Sequence, residues 1–190
     1  MPWISGNRWL NQTEMENNAI FVWNTFNGFN TGWSLNAVCG MLGNMQSEST
    51  INPGIWENLT PYWRGYGLVQ WTPYTLYANW AGAGWEDNGP KECQRIEYER
   101  LNGLEWYVDP NYPYNYNFDY FHSSTDAPGD LAKAFLVNYE RPIASVIPTQ
   151  LSIRAQQAED WYTFLSGQPQ IQRLPPWMLF QFSKWRRYIK

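Results

Sequence analysis

GMLGNMQSESTINPG, residues 40–54, is the stretch on which the fold turns. Its apolar positions continue a pattern that begins at Leu35 and runs through Val38, Leu42 and Met45. That spacing returns to one face of an α-helix, and Ser34 is placed to cap the first orphan N–H groups, so a helix is expected from about residue 35. Asn52-Pro53-Gly54 cannot continue it, and it should end near Glu48. One carboxylate therefore stands at the end of an apolar helix, just before a loop, at the edge of a cleft. Acid catalysis at a glycosidic oxygen needs a carboxyl group that keeps its proton near neutral pH. Partial burial and the negative end of a helix dipole both push a carboxyl that way. The plain alternative for Glu48 is a solvated side chain at a helix end.

Working outward toward the N-terminus, Asn27 to Gly32 (NGFNTG) is turn punctuation, and Thr13-Glu14-Met15-Glu16 reads as a capping box that opens a helix over 14–28. Toward the C-terminus, INPGIWENLTPYWRGYGLVQWTP (51–73) is dense in Gly, Pro and Asn with no sustained period, which predicts turns and one short hairpin at the cleft. Helical patterns resume over 73–82 and 90–107 and pause at VDPNYPYNYNFDYF (108–121). They return over 126–140 until Pro142 stops them, and again over 148–165 with Gly167 as the C-terminal cap. The sum is a mostly α domain with about six helices and one irregular cleft segment. Residues 1–13 are an N-terminal arm, 14–167 the domain, and 168–190 a tail.

The chain has 190 residues and a net charge of −4, enough for one domain with a real core and no second large module. That charge argues against nucleic-acid binding, which requires a basic face. Aromatics are the outlier, with 13 Trp, 13 Tyr and 9 Phe, many beside Gly, Asn or Pro. Flat rings suit sugar faces, although they also fill ordinary cores. The N-terminus lacks a basic-then-apolar export signal and no run is long enough to span a membrane, so a soluble chain without its own leader is expected. Cys39 and Cys93 read as two buried thiols in preference to a disulfide, and no Cys/His cluster suggests zinc. The tail begins at Pro175-Pro176 and ends KWRRYIK, an amphipathic basic end suited to an anionic surface or a partner subunit; a short helix packed by Trp177, Phe180 and Trp185 is the alternative.

Taken together, GMLGNMQSES-INPG, then GYGLVQWTP (65–73), then FLVNYERP (135–142) resemble the phage tail lysozyme family, in that family's order and over roughly residues 14–165. The resemblance implies a lysozyme-like fold, mostly α with a small β-hairpin at the cleft. It implies a virion-associated enzyme at the tail tip that cuts the glycan strand of bacterial peptidoglycan, acting outside the host cell to open its wall during infection, alongside other phage tail proteins. Glu48 is then the general acid, and Gln70 and Tyr139 line the sugar subsites; no metal or organic cofactor is implied. An amide and a phenol can each bond an N-acetyl group. Their plain alternatives are a hairpin amide bonding its own backbone and a core ring with a satisfied hydroxyl. Trp56, Trp63, Tyr66 and Trp71 surround the cleft segment and could stack on sugars, with at least half of them expected in the core.

The second carboxylate, whose separation from the first would set the stereochemical course, is left open among Glu57, Asp119 and Glu140, the last also readable as a structural ion pair with Arg141. Muramidase-type hydrolysis and lytic transglycosylation both remain. A cysteine amidase built on Cys39 or Cys93 with His122 is a rival enzyme class. A silent wall-binding or structural tail subunit on the same scaffold is the non-enzymatic rival.

Overall fold

The computed structural model describes residues 2–168. The tail over 169–190 lies outside the described residues. The elements in chain order are α1 (Gln12–Gly28), α2 (Leu35–Ser49), a 3-10 turn (Glu57–Leu59), α3 (Thr75–Ala81), α4 (Gly89–Leu101), α5 (Phe118–Ser123), α6 (Pro128–Phe135), a π-helical turn (Leu136–Glu140) and α7 (Ile147–Ser166). The chain is mostly helical, consistent with the lysozyme-like expectation.

Helix α2 is the axis of the domain. Its residues from Ala37 to Met45 are all buried, and it packs on α6 and α7. Ser34 caps it, its side chain accepting from the Ala37 N–H. Burying Met41, Leu42 and Met45 completely contributes about 1.5–3 kcal/mol each. Gly43 sets the approach of α7: a Cβ there would lie 2.5 Å from the Arg154 carbonyl oxygen. Only a residue without a side chain lets the two backbones come this close, and the approach brings the α7 side chains alongside the end of α2.

Several boundaries differ from expectation. The capping box of α1 is Asn11 with Glu14, two residues earlier than Thr13 with Glu16. The Asn11 side chain accepts from the Glu14 N–H, and the Glu14 carboxylate accepts from the Asn11 N–H at 3.0 Å and pairs with Arg8 at 2.6 Å. Helix α4 stops at Leu101, short of 107, because Asn102-Gly103 closes it. Gly103 takes φ +63°, its N–H donates to Arg100 O and the Leu104 N–H to Glu99 O, which is a Schellman cap. Inside the aromatic stretch read as irregular, Asn117 caps the short helix α5 by accepting from the Tyr120 N–H. The helix expected over 126–140 is α-helical only to Phe135 and then widens into the π turn.

The hairpin expected at the cleft consists, among the described residues, of two isolated antiparallel bridges, Trp56 with Tyr66 and Tyr66 with Trp71. Tyr66 shares both bridges, so no ladder of paired strands develops. Gly67 (φ +81°) makes the turn between them and leaves room for Glu92: a Cβ there would meet the Glu92 carboxylate at 2.5 Å. Glu92 Oε2 accepts from the Leu68 N–H at 2.7 Å, which fastens the loop to α4. The N-terminal segment is likewise sewn in: Asn52 Nδ2 donates to the Gly6 and Arg8 carbonyls, and Asn18 Nδ2 to the Ile4 and Ile51 carbonyls. Both amides are fully buried, so these bonds replace water that neither residue can reach.

Candidate active site

Three consecutive polar residues lie in the last turn of α2, and three residues of α7 receive them. The Trp161 indole N–H donates to Gln46 Oε1 at 2.9 Å, the Ser47 hydroxyl to Gln157 Oε1 at 2.8 Å, and Arg154 Nη2 to Glu48 Oε1 at 2.5 Å. Positions 154, 157 and 161 share one face of a helix, so α7 presents a single polar stripe to the last turn of α2. Arg154 is buried at 4 % exposure and also donates through Nη1 to Asn44 Oδ1 at 2.9 Å. The Glu48 side chain keeps 24 % exposure and faces a cleft.

The chain leaves α2 under strain. Thr50 and Ile51 both adopt positive φ, +53° and +55°. Left-handed backbone at a β-branched residue costs about 1–3 kcal/mol and persists only where neighbours hold it. Here the Leu10 N–H donates to Thr50 Oγ1, and Asn18 donates to the Ile51 carbonyl. Ser49 reinforces the corner, its hydroxyl within hydrogen-bond reach of the Met45 and Leu68 carbonyls, both at 2.9 Å. The sharp exit ends the helix at the cleft with Glu48 on its rim.

The cleft has a volume of about 470 Å³, and all three separated segments contribute to its walls. Glu48 comes from the end of α2, Gln70 and Trp71 from the bridged loop, and Tyr139 and Glu140 from the π turn. Gln70 (φ +50°) donates through Nε2 to the Gly67 carbonyl at 2.9 Å and the Ile55 carbonyl at 3.2 Å, so its amide braces its own loop at the cleft wall. Trp71 and Tyr139 both reach inward to Glu99 of α4. The indole N–H donates to Glu99 Oε1 at 3.0 Å and the phenol to Glu99 Oε2 at 2.5 Å. Glu99 is fully buried and also pairs with Arg95 at 2.6 Å, so one carboxylate anchors two walls of the cleft.

Tyr66 does not reach the cleft. It is 1 % exposed, its ring packed among Trp56, Tyr77 and Trp85 and its hydroxyl accepting from the Asp87 N–H. Trp56 is buried beside it, whereas Trp63 is exposed and outside the cleft lining. Asp119 lies apart, bonded to Arg100. Glu57 lines the cleft and faces Arg64 at 3.7 Å; Glu105 lines it too and accepts from Arg141 at 3.0 Å. Cys39 and Cys93 are free and buried, and burial pushes both thiols up. His122 contacts the Asp119 and Thr31 carbonyls and no thiol.

Glu140 differs electrostatically from every other cleft carboxyl. Its Oε1 is buried without a hydrogen-bond partner, and its carboxyl is pushed well above the usual range, first by burial and then by the nearby charge of Glu48. Its pairing with Arg141 does not occur; Arg141 turns to Glu105. The raised affinity for a proton has a stability consequence. Below the ordinary carboxyl value of 4.5, folded and unfolded chains both hold this proton. As pH rises, the unfolded chain ionises first, so this residue's contribution to stability is lost progressively until the folded group also ionises. Glu140→Gln should therefore gain stability relative to wild type between pH 4 and pH 7, measured as the difference in urea midpoints. A difference that is flat across that window would mean that Glu140 is ionised in the fold.

The sequence matches the phage tail lysozyme family over residues 17–165. The chain belongs to that family. Morphogenesis protein 1 of Bacillus phage B103 is 43% identical over 169 residues, a match covering 86% of this chain and 43% of that protein. The chain thus spans less than half the length of that relative. Membership of the family makes a phage-associated, lysozyme-like role the setting for the cleft, and the matched range contains the segments that bring Glu48, Gln70, Tyr139 and Glu140 to it. Glu99, Arg154 and Asn44 lie within the same range and were invisible as support residues in the sequence. A Glu four residues after an Arg on a helix reads as a solvated ion pair, and only burial shows otherwise.

Proposed function

We propose that this chain is a virion-associated muramidase-type glycosidase that cuts the glycan strand of bacterial peptidoglycan at the tail tip, with Glu48 as the general acid. The observation that carries this reading is the convergence of Glu48, Gln70, Tyr139 and Glu140, from three distant segments, on one cleft in a lysozyme-family chain. Glu48 and Glu140 face opposite environments, one bonded to a guanidinium and one with a carboxyl oxygen buried and unpartnered. Two carboxyls in such different surroundings can divide the roles of proton donor and negative charge. Glycosidic cleavage needs both: a proton for the departing oxygen and a negative charge facing the oxocarbenium-like transition state. Glu48, on the open rim of the cleft, delivers the proton to the departing glycosidic oxygen. Water then adds to the anomeric carbon and returns a proton to the carboxylate pair.

A lytic transglycosylase reading is favoured by one feature. Of the other cleft carboxylates, Glu57 faces Arg64 and Glu105 accepts from Arg141, which leaves neither disposed to activate water. Attack by the sugar's own hydroxyl would then replace attack by water.

Mass spectrometry of the products from purified peptidoglycan decides between them. Reducing muramic ends are the expected result; anhydro ends would convert the assignment to a transglycosylase. Cut peptides with intact glycan, or no products at all, would sink the glycosidase reading, the latter in favour of a structural role.

A further inference from the structure

A second pocket adjoins the cleft. It has a volume of about 480 Å³, and Arg141 and Pro142 line both cavities, so the two meet at one corner of the chain. The π turn makes this possible. Widening the helix at the π turn lets Leu136–Glu140 serve two faces: Tyr139 and Glu140 line the cleft, while Val137 lines the second pocket.

The opposite wall is the 107–114 segment, held by Asn138, which is fully buried. The Asn138 carbonyl accepts from the Tyr107 N–H at 2.9 Å, its Oδ1 accepts from the Asp109 N–H at 3.0 Å, and its Nδ2 donates to the Tyr114 carbonyl at 2.8 Å. A buried residue that bonds the wall three times, twice through its side-chain amide and once through its backbone carbonyl, fixes it in place; the pocket is preformed. Yet its mouth is apolar and open: Tyr107 is 63% exposed, Val108 44% and the neighbouring Ile143 73%. The charged side chains lining it are Asp109 and Arg141, the latter stacked over the Tyr107 ring at 4.4 Å.

We propose that this pocket receives the peptide stem that peptidoglycan carries on its muramic residues, an inference that rests on the glycan-cleaving role argued above. A stem branches sideways from the sugar chain, so a glycan lying in the cleft would place its stem in a side pocket adjoining it. Its chemistry matches the lining. Alanine methyl groups suit Val108, Val137 and Pro142; a stem carboxylate suits Arg141; the ammonium of a diamino residue suits Asp109. A groove for bare glycan would need neither the apolar lip nor one charge of each sign.

The test is the affinity of the full chain for two cleavage products, the GlcNAc–MurNAc disaccharide carrying its tetrapeptide and the same disaccharide without it, by titration calorimetry. The stem should strengthen binding by about tenfold or more. Ala144→Trp, which fills the pocket from an exposed position, should erase that difference and leave the affinity for the bare disaccharide unchanged. Equal affinities in wild type, no binding of either ligand, or a preference that survives Ala144→Trp would each overturn the proposal. A concentration-dependent dimer abolished by Ala144→Trp would also overturn it, by giving the pocket to a second copy. Stem-dependent binding by a chain that releases no products from the wall would uphold the pocket and sink the glycosidase reading instead.

Discussion

Glu48→Gln is expected to lower peptidoglycan solubilisation by roughly 10²–10⁴-fold, the range that a positioned general acid contributes. Glutamine keeps the volume of the side chain and an oxygen that can still accept from Arg154 Nη2, while Asn44 continues to hold Arg154 through Nη1. The fold should therefore survive, as circular dichroism would show, and what is lost is the transferable proton. Binding of glycan fragments should change much less than turnover, since a group needed in the transition state lowers kcat more than it raises KM. Turnover within a few fold of wild type by a folded Glu48→Gln chain would remove Glu48 from the chemistry and reopen the site, with Glu140 as the next candidate.

Glu99→Ala should cost about 3–5 kcal/mol of stability, the usual result of removing one partner from a buried ion pair. The substitution strands Arg95, which is 7% exposed, and at the same time leaves the Trp71 indole and the Tyr139 phenol without their acceptor. Stacking of Arg95 near the Trp80 and Tyr98 rings, at 5.5 and 5.4 Å, softens the loss without replacing a carboxylate. Against a typical folding free energy of about 5–15 kcal/mol this is a large fraction. Glu99→Gln, which keeps an acceptor and loses the charge, should fall between the variant and wild type. Urea unfolding measures all three. A cost below about 1 kcal/mol for Glu99→Ala would show that Glu99 is not the anchor of the cleft walls.

Local information is enough for most of the helices. Ser34 and the Leu35, Val38, Leu42, Met45 spacing specify α2, and Gly167 closes α7, because caps and periodicity act within a few residues. Where the structure departs from the sequence pattern, a nearby residue outcompetes the expected one: Asn11 caps α1 in place of Thr13, and Gly103 ends α4 before residue 107. The bridged loop is a different case. Its sequence predicts turns, but whether strands pair depends on partners across the loop, and Tyr66 occupies both bridges alone.

Local pattern alone specifies a carboxylate that closes an apolar helix before a turn-rich loop, a mostly helical domain, and three motif blocks in the phage tail lysozyme order. The tertiary structure alone decided which charges are buried. On α4, Glu92, Glu97 and Glu99 are all fully buried although their helix carries the polar sequence of a solvated face. Arg154 stands 106 residues from Glu48 in the chain and touches it only because Gly43 admits α7 to the side of α2. Glu140, left without a partner, and Tyr66, drawn into the aromatic core, are settled in the same way. A charged side chain takes its state from whatever surrounds it in space, and that surrounding is assembled from residues no local pattern connects.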